Sequence, residues 1–549
     1  YQFITHSDTE VLLHGYHAWR EQLPTKLTGM FAFAIADRRH HELFLARDRF
    51  GEKPLFISAT SKYLAFASEL RPLAALPDLE RTLDMEALGG FLCLNYVPGT
   101  ATLLKTIRRV PPASWQLYGQ HGVIRSGTYW FPPSVTDAIP HQQSLEEATE
   151  EFRHRLDRAV SLCLRSDVPV GILLSGGIDS SLVAESAMRQ GNLSRAYLVD
   201  FEEQSYSEFA KAKAVTEQLG LPLTRITVTA QTLLDNFFQI VDHADDPLAD
   251  SSTLPVWAIT QEAARYNKVV LGGDGGDELF AGYLTYLASR LHSRVITRFP
   301  MVIRKMLARI GANLPTTEGK VTLSYKLRRF LRAADLPVEQ AHFSWNGSWL
   351  PEEAANLLRA ESEITRHTLA KIASRLNLTD KHNLLGLQQA DLAEYLPNDI
   401  LTKTDRMSMA HGLETRAPFL EHELAEWALQ RPDWQKISGK TLKVIPRTAA
   451  RQLFGKLIAD SPKQGFSIPV HQWIRGPLAE MIQDLLSPDS LDKLEFLNSE
   501  AVHKVVIDHF SGRRSYGFEL WGLSVLVAWY RVRIAQSPQP PSQSRLIQR

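Results

Sequence analysis

Two short turns hold the residue types that chemistry on phosphates would need. The first, Ser175-Gly176-Gly177-Ile178-Asp179-Ser180-Ser181, follows a continuous apolar run and opens a helical pattern. Free N–H groups and the positive dipole end at a helix start favour an anion, glycines admit close backbone approach, and the hydroxyls add donors. No Gly-Lys-Ser/Thr is present, so a loop that hands over a terminal phosphoryl group is not what is written. Asp179 would repel phosphate unless a cation stands between them, which predicts Mg²⁺ there. The second turn, Gly272-Gly273-Asp274-Gly275-Gly276-Asp277-Glu278, packs four glycines and three carboxylates into seven residues, again after a short apolar run. Carboxylates crowded in this way need a metal or a cationic group beside them. If both preceding strands belong to one sheet, Asp179 and Asp277 share a cleft and can hold one or two Mg²⁺ on a polyphosphate.

The elements that must position these turns read as two regions. Up to residue 130 the runs Met30–Ala36, Glu42–Arg47, Pro54–Ser58 and Tyr63–Ser68 are short, apolar or alternating, and separated by polar clusters, as in an antiparallel sheet. A proline-rich, aperiodic stretch at 131–144 predicts a linker. Strands and helices then alternate: an amphipathic helix from Leu145 to Cys163, strands Val168–Leu174, Ala196–Phe201, Leu223–Val228 and Val269–Leu271, and helices between them. That order predicts a parallel sheet with right-handed crossovers. From about residue 285 the spacing is mainly helical through 535, and 536–549 reads as a disordered tail.

Composition narrows the class. The 549 residues exceed what one core usually holds. Lys and Arg number 61 against 61 Asp and Glu, so neither nucleic acid nor a membrane is an expected partner. One stretch departs from this balance: Arg290–Arg332 has eleven basic residues and one carboxylate, Glu318, and reads as a solvated or ion-paired helical face, with an acidic partner as the alternative. Two cysteines, Cys93 and Cys163, exclude a disulfide scaffold and fit a reducing compartment, with cytoplasm as the expected location.

The turn Ser175–Ser181 resembles the pyrophosphate-binding loop of the ATP pyrophosphatases. Gly273–Tyr283, Asp399–Ala410, Glu414–Leu420 and Ser461-Pro462-Lys463-Gln464-Gly465-Phe466 narrow the resemblance to the asparagine synthetase family, as do Ser7-Asp8-Thr9-Glu10, Gly29–Ala34 and Arg47–Leu55. It runs through nearly the whole chain in the family's order. It implies an α/β protein with an Ntn-type glutaminase domain over 1–130, partial here, and a synthetase domain of the parallel-sheet ATP pyrophosphatase kind over 145–535. Also implied is synthesis of asparagine from aspartate and MgATP through β-aspartyl-AMP, with ammonia supplied by glutamine and carried by a tunnel. Leu173, Ser175, Gly176, Gly177, Asp179, Ser180, Val199, Gly272 and Gly273 match ATP-site positions; Asp179 and Asp277 match the Mg²⁺ ligands, and Lys443 matches the residue that meets charge on the phosphates. Asp274 lies on the aspartyl-adenylate side, and Asp8 matches a glutamine-binding position.

The chain departs from the family pattern at its start. The family's nucleophile is an N-terminal cysteine; residue 1 is Tyr, and Cys93 and Cys163 lie mid-chain in helical patterns. The family's first strands, its glutamine-carboxylate Arg and its oxyanion-hole Asn-Gly are also missing. The expectation is a longer gene product, with the chain as it stands using ammonia and lacking glutaminase activity. Two rivals stay open: a relative acting on another carboxylate, of β-lactam-forming, peptide-cyclising or polysaccharide-modifying type, and a non-catalytic binding module. A homodimer is the assembly the reading allows for.

Overall fold

The computed structural model describes residues 1–549 apart from 61–62, 135–142, 192, 315–321, 360–361, 379–382, 462–467 and 536–549. The expected tail, most of the expected linker and most of the Ser461–Phe466 motif lie outside the described residues.

The N-terminal region is built on two antiparallel sheets. One pairs β1 (Ala32–Asp37), β2 (Glu42–Arg47), β6 (Ser114–Gly119) and β7 (Gly122–Thr128) in the order β1-β2-β6-β7; the other pairs β3 (Phe56–Ala59), β4 (Leu64–Ala67) and β5 (Arg108–Arg109) in the order β4-β3-β5. Successive side chains of a strand face opposite ways, and β2 uses both faces. Phe44 and Ala46 join Tyr16 and Leu23 from the N-terminal helices, while Leu45 joins Leu55, Ile57 and Val110 between the sheets.

A further sheet, of five strands, is parallel throughout, in the order β10-β9-β8-β11-β12, from β8 (Val170–Leu173), β9 (Leu193–Phe201), β10 (Leu223–Val228), β11 (Val269–Leu271) and β12 (Glu414–Arg416). Both faces are covered by helices, which explains the apolar runs. Ile172, Leu198 and Leu271 pack into one core, and Tyr197, Val199 and Val270 into the other. The chain runs outward from β8 through β9 to β10, then returns to the other side of β8 for β11 and β12. The order therefore reverses between β8 and β11, and ligands of open parallel sheets bind outside the carboxyl ends of the strands at such a point.

Helices fill the rest. Leu145–Cys163 starts on a capping box, Ser144 with Glu147, and lays Phe152, Leu156 and Val160 on the sheet. The apolar C-terminal helix Gly517–Tyr530 is buried along nearly its whole length. The helix Met85–Leu94 belongs to the same core cluster, so residues before 130 help build the interior around the parallel sheet. Among the described residues no helix is long and apolar enough to cross a membrane.

Candidate active site

β8 ends at Leu173 and the chain turns through Ser175–Gly177 into the helix Ile178–Arg189, whose first turn carries Asp179. The turn is held internally. Ser175 Oγ accepts from Gly177 N at 3.2 Å and lies 3.2 Å from Ser180 Oγ. Gly176 has φ +69°, and a Cβ there would stand 2.6 Å from Ala212 N, so the turn and the helix Phe209–Leu219 approach more closely than any side chain permits. From the adjacent β11 the chain passes through Gly272–Gly275 into the short helix Gly276–Leu279, which brings Asp277 to the same place.

Lys443 completes the group from far along the chain. A hairpin of β13 (Ile437–Ser438) and β14 (Thr441–Leu442) delivers it to the start of the helix Val444–Phe454, with left-handed backbone, φ +54°. Non-glycine residues seldom adopt that conformation, and strain of this kind gathers at functional sites. Its Nζ meets Asp179 Oδ2 and, at 2.6 Å, Asp277 Oδ1. The side chain is 6% exposed. The two carboxylates thus converge on one cationic point. A Cβ on Gly282 would collide with both Asp277 and Lys443, and one on Gly276 would meet the Asp179 carboxylate 2.7 Å away. Hard oxygens meeting at one point beside a backbone cradle free of side chains are a donor set that suits Mg²⁺.

These residues border a cleft of about 750 Å³. Leu173, Ser175, Gly177, Asp179, Ser180, Val199, Gly272, Gly273, Asp274, Asp277 and Lys443 all line it. Gly176 faces the neighbouring helix instead, and Ser181 is fully buried. Asp8 stands elsewhere, in the exposed first turn of the helix Asp8–Trp19. Leu198, Val256 and Ile259 give the cleft one apolar wall, while Lys211, Lys440, Arg447 and Arg451 add positive charge.

Several groups in or beside the cleft are given no role by the sequence reading. Lys403 Nζ pairs with Asp250 Oδ2, and Thr404 Oγ1 lies 3.4 Å from Asp274 Oδ2. Burial works against the Lys403 ammonium, but Asp250 and Asp399 outweigh it and hold its pKa above the ordinary value. Asp399 is pushed well up, by burial and then by Asp250. Glu278 accepts from the Tyr283 hydroxyl at 2.7 Å and is pushed up to about 8 by burial, then by Asp277. Lys403, Thr404 and Asp399 lie in a motif that carried the family resemblance, yet periodicity alone assigns them no partner. The thiols of Cys93 and Cys163 are pushed up to about 12, chiefly by burial, and stay protonated at neutral pH.

The family model for asparagine synthase matches residues 151–531, and that for a glutamine amidotransferase domain matches residues 1–130. Asparagine synthetase [glutamine-hydrolyzing] 1 of Bacillus subtilis is 31% identical over 99% of this chain and 84% of its own length. A putative asparagine synthetase [glutamine-hydrolyzing] of Mycobacterium tuberculosis is 30% identical over 98% and 82%. Amidase chyE of Penicillium rubens is 27% identical over 94% and 81%. With two glycine-lined turns at the sheet's switch point and a match over most of its length, the chain belongs to the asparagine synthase family, as a ligase of the asparagine synthetase type.

Proposed function

We propose that the cleft converts aspartate to asparagine at the expense of ATP, through a β-aspartyl-AMP intermediate and with release of AMP and pyrophosphate. The observation that carries this reading is the meeting of Asp179, Asp277 and Lys443 at the ends of two adjacent parallel strands. A nucleotide seated at that point lays its base against the apolar lining residues Leu173, Val199, Val256 and Ile259. Its phosphates lie over the Ser175–Ser180 turn, where the first N–H groups of the helix face outward. The aspartate carboxylate attacks the α-phosphorus, the α–β bridge bond breaks, and the bridging oxygen leaves with the pyrophosphate. Lys443 meets the charge that develops on that leaving group. Mg²⁺ held by Asp179 and Asp277 would neutralise the polyphosphate. Asp274, with Asp250, Thr404 and Lys403 beside it, offers both signs of charge, as an amino-acid zwitterion requires. Ammonia then displaces AMP from the acyl carbon. The ammonia would come from glutamine in the full-length protein, with Asp8 in the 1–130 region helping to hold the glutamine, and from solution for the chain as it stands.

The test uses aspartate labelled with ¹⁸O in its side-chain carboxylate. Asparagine, AMP and pyrophosphate should form in equal amounts, with one labelled oxygen passing to AMP. Release of ADP and phosphate, or indifference to aspartate among other carboxylates, overturns the reading. Lys443→Met should lower the rate of AMP formation by roughly 10²–10³.

A further inference from the structure

The charge balance of the whole chain hides a strong local excess. Apart from Glu318, the sequence between Glu278 and Asp335 contains no carboxylate. This stretch forms the helices Leu284–Arg294, Met301–Asn313 and Leu323–Arg332, and Leu284 and Lys326 line the cleft. Some of its cations are used internally: Arg328 and Arg332 are buried, and Arg304 donates to Ala334 O and Leu336 O. Six others are exposed, Arg290, Arg294, Arg298, Lys305, Arg309 and Lys326.

Apolar side chains of the same helices are exposed as well. A surface helix ordinarily turns its apolar stripe inward. Met301–Asn313 turns one outward: Val302, Met306 and Ile310, four apart on one side, are 80%, 52% and 46% exposed, with Lys305 and Arg309 exposed on the same side. The other side is committed to packing, because a Cβ on Gly311 would stand 2.5 Å from Arg332 N. The next helix exposes Leu323 at 81% and Leu327 at 46%. A two-fold contact between copies would set these cations against themselves. Nucleic acid would meet the cations and leave the apolar stripe without a partner. An anionic lipid surface answers both features, with phosphates for the cations and an acyl boundary for the stripe.

We propose that the helices Met301–Asn313 and Leu323–Arg332 dock the protein peripherally on an anionic membrane. Val302, Met306, Ile310 and Leu323 enter the headgroup boundary, and the exposed cations meet lipid phosphates. Lys326 belongs both to this surface and to the cleft lining, so the mouth of the cleft stands beside the lipid.

Flotation of the full chain with phosphatidylcholine vesicles, with and without phosphatidylglycerol, tests this. The chain should float with the anionic vesicles only, and less so as salt rises. Arg294→Gln, Arg298→Gln and Arg309→Gln should each weaken partitioning roughly fivefold. Val302→Ser with Met306→Ser should weaken it at every salt concentration, and all these variants should keep the parent's thermal unfolding and ATP-dependent AMP formation. No flotation at low salt, or flotation that neither set of variants changes, overturns the proposal. So does retention of duplex DNA, or a dimer broken by the Val302→Ser, Met306→Ser change, where flotation is absent.

Discussion

Glu278 follows Asp277 in sequence and carries a charge cost of a different kind. Its side chain is buried, and burial, then Asp277, pushes its pKa from 4.5 up to about 8. Between those values the folded chain holds a proton that the unfolded chain has released, so the slope of stability with pH is negative there. The contribution is fully present below about pH 4.5 and is lost as pH rises through about 8. Lys436 runs the opposite way. Its Nζ donates to Gln388 Oε1 at 2.9 Å and Leu429 O at 2.8 Å, and burial pushes its pKa from 10.5 down to about 7. Glu278→Gln should therefore remove a fall in the urea midpoint between about pH 5 and 8 that Lys436→Met leaves in place. An unchanged slope in Glu278→Gln would mean that the carboxyl is ionised in the folded chain. The charges of Glu278 and Lys436 are plain in the sequence, but their desolvation is not, because burial depends on what packs over them.

At the scale of elements, the tightness of the two turns is what aims their side chains. Gly176→Ala should cost about 2–4 kcal/mol, combining a left-handed backbone with a Cβ driven toward the Phe209–Leu219 helix. Gly439→Ala, with φ +60° and open space around its Cβ position, should cost only about 1–2 kcal/mol. Denaturant midpoints of the two variants check the difference; equal losses would show that the close approach at Gly176 is easily relieved. The β8, β9 and β11 strands were legible as apolar runs because they are buried over most of their length, whereas β10, on the opposite edge and mostly half-buried or exposed, was legible from the alternation of strand and helix. β12 was not, since Glu414-Thr415-Arg416 is short, polar and half-buried at the sheet edge. β7, exposed along most of its length, left no apolar signal either.

At the scale of the molecule, the first 130 residues and the parallel-sheet region share buried polar joints. Arg109 Nη2 donates to Asp246 Oδ2 at 2.5 Å, and Lys53 Nζ to Asp405 Oδ1 at 3.0 Å. Asp246 also accepts from Leu103 N and is pushed up to about 6, chiefly by burial. Arg109→Met would strand that carboxylate, and calorimetry should show a loss of about 3–5 kcal/mol in one cooperative transition. Two separated transitions in the parent chain would contradict the shared interior to which Met85–Leu94 contributes.

The sequence by itself determined the two glycine-rich turns, the alternation of strand and helix around them and the family, since each is written in neighbouring residues or in motifs of fixed order. The tertiary structure decided that Lys443, 264 positions from Asp179, stands between the two aspartates, and that β11 lies beside β8. It also decided that the basic helices turn apolar side chains outward. These are contacts between distant parts of the chain, or their absence, and they follow from strand order and packing, which local periodicity does not encode.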